Sequence, residues 1–396
     1  MNDYSRQYLK KMPILQQNKF ISKSLFHLLY SNIFSAENIW LKSKNKYVQE
    51  ITPIYFTSKT KWSSIANYSL IDDEIRNLIE LTGCFEKEYT ITINERIYNI
   101  HLSHPSKTNR NKQKIDDYLD DCVMKIFLWL YVVEMYSKKI CSRKMNVYIW
   151  FSRHKKILNS DKSVLNTLNV NSAFTTSCKE NTEICLYRKE EWFKVFIHET
   201  FHNLGLDFSS NNNKQNDVLI EQLFNVQSNN DSFRVYESYC EVWAEILNCV
   251  FISFFQSENK QQCYTVFIGL MKSQISFSVL QMIKILNYYN TNYNEFIDKS
   301  NKKAKYFEKT YVLSYYILKT ILLFDSYNFI EWCVNNNTNL LQFNETSKNI
   351  GNFGYLIRDN YKNVSFLRYI QNIENFLKKN PLHKELYMTM VMTIDD

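Results

Sequence analysis

The chain has 396 residues, of which 45% are hydrophobic and 16% aromatic, so it can bury one large core or two. Its formal net charge is +8, and the basic residues are dispersed apart from short clusters at 153–156 and 302–305. Clusters of that size are typical of solvated faces, so the charge excludes no fold and indicates no specific nucleic-acid partner.

Cysteine usage and apolar runs indicate the compartment. The nine cysteines are odd in number and form no CxxC pair, which favours free thiols in a reducing compartment over a disulfide framework. Residues 1–20 are polar and contain no signal-peptide core. No uninterrupted apolar run reaches about 18 residues. We therefore expect a soluble protein without a membrane span.

Residues 1–110 predict an N-terminal α+β region, in which the spacing of apolar residues indicates each element. The predicted elements are a helix at 22–30, a strand at 47–56 broken at Pro53, a helix at 71–81 and a β-hairpin at 89–102. The polar segment 103–114, which contains Pro105, predicts the boundary with the next domain.

Residues 111–255 predict the core domain, and residues 256–396 predict a mostly helical C-terminal region. The predicted core elements are a long helix at 115–140, strands at 145–151, 170–176 and 183–188, a helix closed by Gly205, a short helix at 218–226, and a helix at 233–255 capped by Asp231 or Ser232. The strongest later helices are predicted at 263–289 and 306–324, and a weaker helix is predicted at 365–377. This order predicts an α+β fold with a small sheet packed on the helix that Gly205 closes.

That helix carries the motif His198-Glu199-Thr200-Phe201-His202. Histidines four residues apart lie on one helix face, one turn apart, so both imidazoles can reach one metal ion. Glu199 lies about 100° round the helix, where it can hold a water molecule at the metal. The flanking positions are apolar on nearly every side, which is typical of a buried helix whose polar groups need partners. The motif predicts a zinc site, and a pair of hydrogen-bonded core histidines is the alternative.

The motif and the order of elements resemble the zincin metallopeptidases, from the helix near Ile115 to the helix at 233–255. In zincins, the strand just before the metal helix lies at the sheet edge and binds peptide substrate as an additional strand. The resemblance implies that residues 171–175, with Ala173 and Phe174, form this edge; an ordinary sheet strand is the alternative. The composition and motif are also similar to uncharacterised zincin-like proteins of large DNA viruses.

A catalytic zinc ion takes three protein ligands and keeps one position open, so the two histidines need a third partner. The four carboxylates that can supply it are Asp207, Glu221, Glu237 and Glu241. In the metzincin group the third ligand lies one residue further along the chain than Asp207 does here. Glu221 has the spacing of zinc aminopeptidases, but bulky Phe224 lies one turn on, where two helices must approach closely.

The remaining two carboxylates lie on the helix at 233–255. In the gluzincins the third ligand is a glutamate on a later helix, with a small residue at i+3 and an acid at i+4. Glu241, followed by Ala244 and Glu245, resembles this pattern best, and Glu237 is the alternative. The resemblance then implies that Glu245 orients a ligand histidine by accepting its other N–H.

Motif and resemblance together imply a zinc-dependent hydrolase, specifically a metallopeptidase acting on a peptide or protein substrate, with Glu199 as general base. The donor that stabilises the oxyanion stays open among Arg234, Tyr239, Tyr315 and Tyr316. The alternatives are an inactive zincin-fold structural or interaction protein of a virion or scaffold, and a hydrolase that acts on another bond. The expected location is the cytoplasm or the virion.

Overall fold

A computed structural model of the chain describes residues 3–60, 62, 65–106, 111–226, 232–300 and 306–394. The predicted cap at Asp231, the basic cluster at 302–305 and part of the predicted boundary at 103–114 lie outside these residues. The strands are β1 Val48–Thr57, β2 Cys84–Ile93, β3 Arg96–Pro105, β4 Lys144–Trp150, β5 Ala173–Thr175 and β6 Asn181–Leu186. The helices are α1 Asp3–Lys11, α2 Lys23–Tyr47, α3 Asp73–Leu81, α4 Lys112–Glu134, α5 Thr167–Val170, α6 Trp192–Asn203, α7 Lys214–Leu223, α8 Val235–Phe255, α9 Lys260–Tyr288, α10 Tyr293–Ile297, α11 Lys319–Phe324, α12 Ser326–Asn336, α13 Ser347–Asn360, α14 Val364–Lys379 and α15 Lys384–Met388.

The chain is α+β, as predicted, and divides into two compact units. The sheet unit comprises Leu28–Lys155 and Asn171–Leu206. The helical unit comprises Met1–His27, Lys156–Val170 and Asp207–Asp396. The predicted segments 1–110, 111–255 and 256–396 do not coincide with these units, because strands on both sides of residue 110 pair in one sheet.

The sheet unit contains a six-stranded mixed sheet in the order β1-β2-β3-β4-β6-β5. The first three strands are antiparallel, β4 and β6 continue parallel to β3, and β5 returns antiparallel to β6. The predicted hairpin is confirmed: Ile93 pairs with Arg96, and Asn94 has a φ of 53° in the two-residue loop between them. Pro53 lies in β1 between shifts of pairing register, which an edge strand tolerates.

Strand β5 is shorter than predicted but lies where the resemblance implies. It covers three residues of the predicted 170–176, because residues 167–170 form the short helix α5 instead. It pairs with β6 alone and is therefore one edge of the sheet. Strand β5 is thus an edge strand, and β6 lies between it and the motif helix α6 in the chain.

Two helices of the sheet unit pack on this sheet. Helix α4 contacts β2 and α6, and α6 contacts β5 and β6. The predicted helix at 115–140 ends six residues earlier, at Glu134, and a loop leads from there to β4. The predicted small sheet packed on the motif helix is confirmed.

The helical unit is built around α8 and α9, which contact each other and α11. The predicted helix at 306–324 forms a π-helical segment at Leu313–Leu318 that continues into α11. Helix α13 was not predicted, because Gly351 and Gly354 lower its helix propensity. Gly354 allows close approach to α7, since a Cβ there would lie 2.4 Å from Asn216 Oδ1.

Helices α8 and α9 are long and apolar enough, by length and composition, to cross a membrane. However, 94% of the most apolar window of α8 and 61% of that of α9 is buried inside the structure. Core helices of soluble proteins show this pattern, so both helices fit the expectation of a soluble protein.

Candidate metal centre

Helix α6 is buried from Phe193 to its last residue, Asn203, and Gly205 closes it as the sequence predicts. Gly205 has a φ of 65°, a conformation that residues with a side chain rarely adopt. The Leu206 amide donates to the Phe201 carbonyl at 2.9 Å, and the Gly205 amide donates to the His202 carbonyl at 3.4 Å. This pair of bonds is a Schellman motif, which satisfies the last carbonyls of the helix.

The two motif histidines turn their rings toward each other. The Nε2 atoms of His198 and His202 lie 3.2 Å apart, and the rings meet at 75°. Two nitrogens bound to one tetrahedral zinc ion, each at about 2.0–2.1 Å, lie about 3.3–3.4 Å apart. The observed separation therefore fits two ligands of a single zinc ion.

A cation or a proton is needed between these nitrogens. Two neutral imidazoles that both present lone pairs at this distance would repel each other. His198 and His202 are only 4% and 7% exposed, so bulk water screens this repulsion weakly. One shared proton also satisfies the geometry and corresponds to the alternative of a hydrogen-bonded core pair. The residues present fit a zinc ion.

Glu199 lies on the side of α6 that faces β6. Burial raises the pKa of the Cys185 thiol, and the charges of Glu183 and then Glu199 raise it further. Burial also raises the pKa of the Tyr187 phenol, and the charge of Glu199 contributes. Helix α6, which carries Glu199, packs on both β6 and the edge strand β5.

A contact from α4 holds the middle of α6. Trp129 Nε1 donates to Thr200 Oγ1 at 2.8 Å, and this hydroxyl donates to the Ile197 carbonyl at 2.6 Å. The Trp129 ring also stacks on Phe201. The sequence did not predict this anchor, for which its one signal is Thr200, the single hydroxyl residue of α6.

A disulfide links Cys141 and Cys178, so the prediction of free thiols throughout is wrong for this pair. Cys141 precedes β4 and Cys178 precedes β6, and these two strands are parallel neighbours. The loops that enter two neighbouring parallel strands meet at one edge of the sheet, which brings together cysteines 37 residues apart. The other seven cysteines, all among the described residues, are buried and form no disulfide.

Three predicted carboxylates lie in the helical unit on α8, and all are buried: Glu237, Glu241 and Glu245. Glu245 Oε1 forms an ion pair with Lys319 Nζ at 3.2 Å, and both side chains are almost completely buried. Lys319 Nζ also donates to Ser278 Oγ at 3.2 Å. Glu245 therefore has a cationic partner from α11 that the sequence analysis did not anticipate.

The other two carboxylates considered as ligands have different surroundings. Asp207 is buried and accepts hydrogen bonds from Ser209 Oγ at 3.0 Å and Cys240 Sγ at 3.7 Å. Glu221 lies half-buried on α7. Buried histidine, carboxylate and cysteine side chains of the kinds that bind metal ions thus occur in both units. The predicted pairing of α6 with a carboxylate of α8 joins residues of both units and stays a prediction.

Two of the four residues considered as oxyanion donors direct their hydroxyl groups to backbone carbonyls. Tyr239 donates to Leu341 O at 2.8 Å, and Tyr316 donates to Met390 O at 2.5 Å. The Arg234 guanidinium lies over the Tyr311 ring, 4.1 Å from its centre. Tyr315 is buried in an apolar cluster of the helical unit. The oxyanion donor therefore stays open.

Comparison with known proteins yields a viral relative. No protein-family model matches the chain, and no solved structure matches it. The chain is similar to "Uncharacterized protein R210" of Acanthamoeba polyphaga mimivirus, with 25% identity in an alignment of 203 positions that covers 48% of this chain and 51% of the relative. The chain thus spans about half the length of this relative. The match agrees with the resemblance to viral proteins, and the name of the relative states no activity.

Proposed function

We propose that this chain is a zinc-dependent hydrolase of the zincin type that cleaves peptide bonds. His198 and His202 are two of the zinc ligands, and Glu199 is the general base. The observation that supports this most is the 3.2 Å separation of the two Nε2 atoms on a buried helix, because it fits two bonds to one zinc ion.

The third ligand in this proposal is a carboxylate of α8, Glu241, with Glu237 as the alternative. Both are buried, and a buried carboxylate needs a partner of opposite charge or several donors. Replacing each separately with glutamine distinguishes them, since only the variant that removes the ligand lowers the bound zinc. Equal zinc in both variants and in the wild type would exclude α8 as the source of the third ligand.

A bound zinc ion would supply Lewis acidity that polarises a carbonyl and makes water a nucleophile near pH 7. Glu199 would accept the proton of the attacking water and pass it to the leaving amine. Trp129 and Thr200 would hold α6 in place while this proton moves. The outer edge of β5, beside Ala173 and Phe174, would bind the substrate in extended form through its main-chain groups.

Glu199→Gln tests the general base. The variant keeps the size of the side chain and removes its basicity, so we expect zinc to stay bound while turnover falls by about 10²–10⁴-fold. The measurements are zinc per chain by mass spectrometry and hydrolysis of a quenched-fluorescence peptide library. Glu180→Gln, at an exposed position before β6, is the matched control and should keep full turnover.

His202→Ala tests the metal site itself. Removing one of two histidine ligands should abolish stoichiometric zinc, whereas His101→Ala, a half-buried histidine on β3, should retain it. Undiminished zinc in His202→Ala would contradict the proposal. Zinc that is bound by both His198 and His202 in a chain that hydrolyses no peptide of the library would instead identify an inactive structural member of the fold.

A further inference from the structure

Two loops of the sheet unit meet the C-terminal end of α6. In the loop before β4, the Lys138 amide donates to the Leu204 carbonyl at 3.1 Å, and Ser142 Oγ donates to the Asn203 carbonyl at 2.8 Å. In the segment that follows β5, the Thr176 carbonyl accepts a hydrogen bond from Asn203 Nδ2. The last carbonyls of the helix and the side chain of its last residue thus have partners in both loops.

The same two loops are joined to each other. The Ser142 amide donates to the Lys179 carbonyl at 2.6 Å, and Thr182 Oγ1 donates to Ser142 Oγ at 2.8 Å. The Cys141–Cys178 disulfide adds a covalent link at the same place. The end of α6 therefore lies against a cross-linked pair of loops.

Gly205 lies in direct contact with the disulfide. A Cβ at this position would lie 2.9 Å from Cys141 Sγ and 2.8 Å from Lys138 Cδ, so only glycine leaves room for the sulfur here. His202 lies in the last turn of α6, and its carbonyl accepts the Gly205 amide. The position of the sulfur and the position of the last turn are thus coupled through one residue.

The two cysteines of the disulfide differ in burial. Cys141 is completely buried, whereas Cys178 is half-buried between the exposed residues Ser177 and Lys179 and is therefore the cysteine nearer to solvent. A thiolate from solution can attack Cys178 Sγ, and the adjacent ammonium group of Lys179 favours its approach.

We propose that the Cys141–Cys178 disulfide is a reversible clamp on the C-terminal turn of α6, through which the thiol redox state sets how firmly His202 is held. The clamp rests on geometry alone, and its effect on zinc rests on the proposed function. A dithiol is the reductant: its first thiolate attacks Cys178 and releases Cys141 as a thiolate. Its second thiolate then releases Cys178. The S–S bond of the protein breaks, both cysteines take up protons, and the dithiol leaves as a disulfide.

The metal-free chain provides the first test, because it does not depend on the proposed function. After reduction with a dithiol, we expect the amides of Gly205 and Leu206 to exchange hydrogen at least about tenfold faster, since the Schellman bonds open more often. Amides in the middle of α6, next to the Trp129 anchor, should keep their rates. Reoxidation should restore the slow exchange, and unchanged rates at Gly205 and Leu206 would overturn the clamp.

The second test measures zinc affinity against a fluorescent zinc indicator, after the dithiol has been removed because dithiols bind zinc. We expect the reduced chain to bind zinc about tenfold more weakly, the effect typical of losing a group that positions a ligand. The double variant Cys141→Ser/Cys178→Ser should bind zinc with the affinity of the reduced wild type, and treatment with the dithiol should not change that affinity. Cys84→Ser, at a buried free cysteine on β2, is the matched control and should respond as the wild type does.

The two tests separate the two proposals. Faster exchange together with weaker zinc binding supports both. If hydrogen exchange is faster after reduction but the chain binds no zinc in either redox state, the clamp proposal stands and the zinc-site proposal is rejected. If hydrogen exchange is unchanged and zinc affinity is equal in both redox states, the clamp proposal is rejected and the zinc-site proposal stands.

Discussion

Helix α6 of the sheet unit and helix α8 of the helical unit are both buried, and both carry ionisable side chains at four-residue spacing. On α6, the two side chains that share this spacing converge, with the nitrogens of His198 and His202 3.2 Å apart. On α8, Glu245 forms an ion pair with Lys319 of α11. A shared helix face therefore does not imply a shared role, because the neighbouring helices decide which partner each side chain finds.

Lys319→Met should have the largest effect on stability, and it tests this difference directly. The variant leaves Glu245 buried without its cation, so we expect the free energy of unfolding to fall by about 3–5 kcal/mol. Urea denaturation followed by circular dichroism measures the change. The double variant Lys319→Met/Glu245→Leu removes both charges and should recover most of the loss.

Zinc content of the Lys319→Met variant sharpens the comparison. Unchanged zinc per chain would show that the Lys319–Glu245 pair serves only the stability of the helical unit. A loss of zinc in a folded variant would show that Glu245 also supports the metal site, as the resemblance to gluzincins implies. A double variant less stable than Lys319→Met alone would contradict the account of the ion pair.

The difference between the two helices also shows what the sequence predicts well. The extent of α6, its closure at Gly205 and the turn at Asn94 follow from local spacing and turn chemistry, whereas the edge position of β5 was implied by the resemblance to zincins. The Glu245–Lys319 pair and the Cys141–Cys178 disulfide join residues 74 and 37 positions apart. No local pattern encodes such contacts, since they depend on how helices pack and on which strands become neighbours.

Gly205→Ala should have an intermediate effect, confined to α6. An alanine with φ near 65° costs about 1–2 kcal/mol, and its Cβ would also press on Cys141 Sγ. Gly269→Ala on α9 is the control, because a Cβ there meets nothing within 4 Å. The control should raise stability by about 0.5–1 kcal/mol, since alanine favours a helix over glycine. Equal urea midpoints for the two variants would refute the assignment of Gly205 as a left-handed closing residue.

Glu308→Gln should change stability only through its dependence on pH. Glu308 accepts hydrogen bonds from the Tyr306 hydroxyl and the Leu313 amide, both at 2.6 Å, and burial raises its pKa from 4.5 to about 7. The folded state therefore holds this proton more tightly than the unfolded chain does, so stability is lost as pH rises from about 4.5 to about 7.

As pH rises from about 4.5 to about 7, Glu308 should lower the free energy of unfolding of the wild type by at most about 1.4 kcal/mol per pH unit. Glutamine keeps the two acceptor bonds and removes the titration, so the variant should lose this contribution and gain stability relative to the wild type near pH 7. Urea denaturation at several pH values measures both curves. Parallel curves would mean that Glu308 is charged in the folded protein, as Glu245 is in its ion pair.

The division of the helical unit into three chain segments has a consequence for synthesis on the ribosome. Tyr369 donates to the carbonyl of Pro13, and Ser326 donates to that of Phe20, so Pro13 and Phe20 find these partners only after some 300 more residues have been added. At about 5–20 residues per second, that delay lasts roughly 15–70 s. The strands of the sheet unit, all complete by residue 186, can pair during this time, while the start of the chain waits for the rest of its own unit.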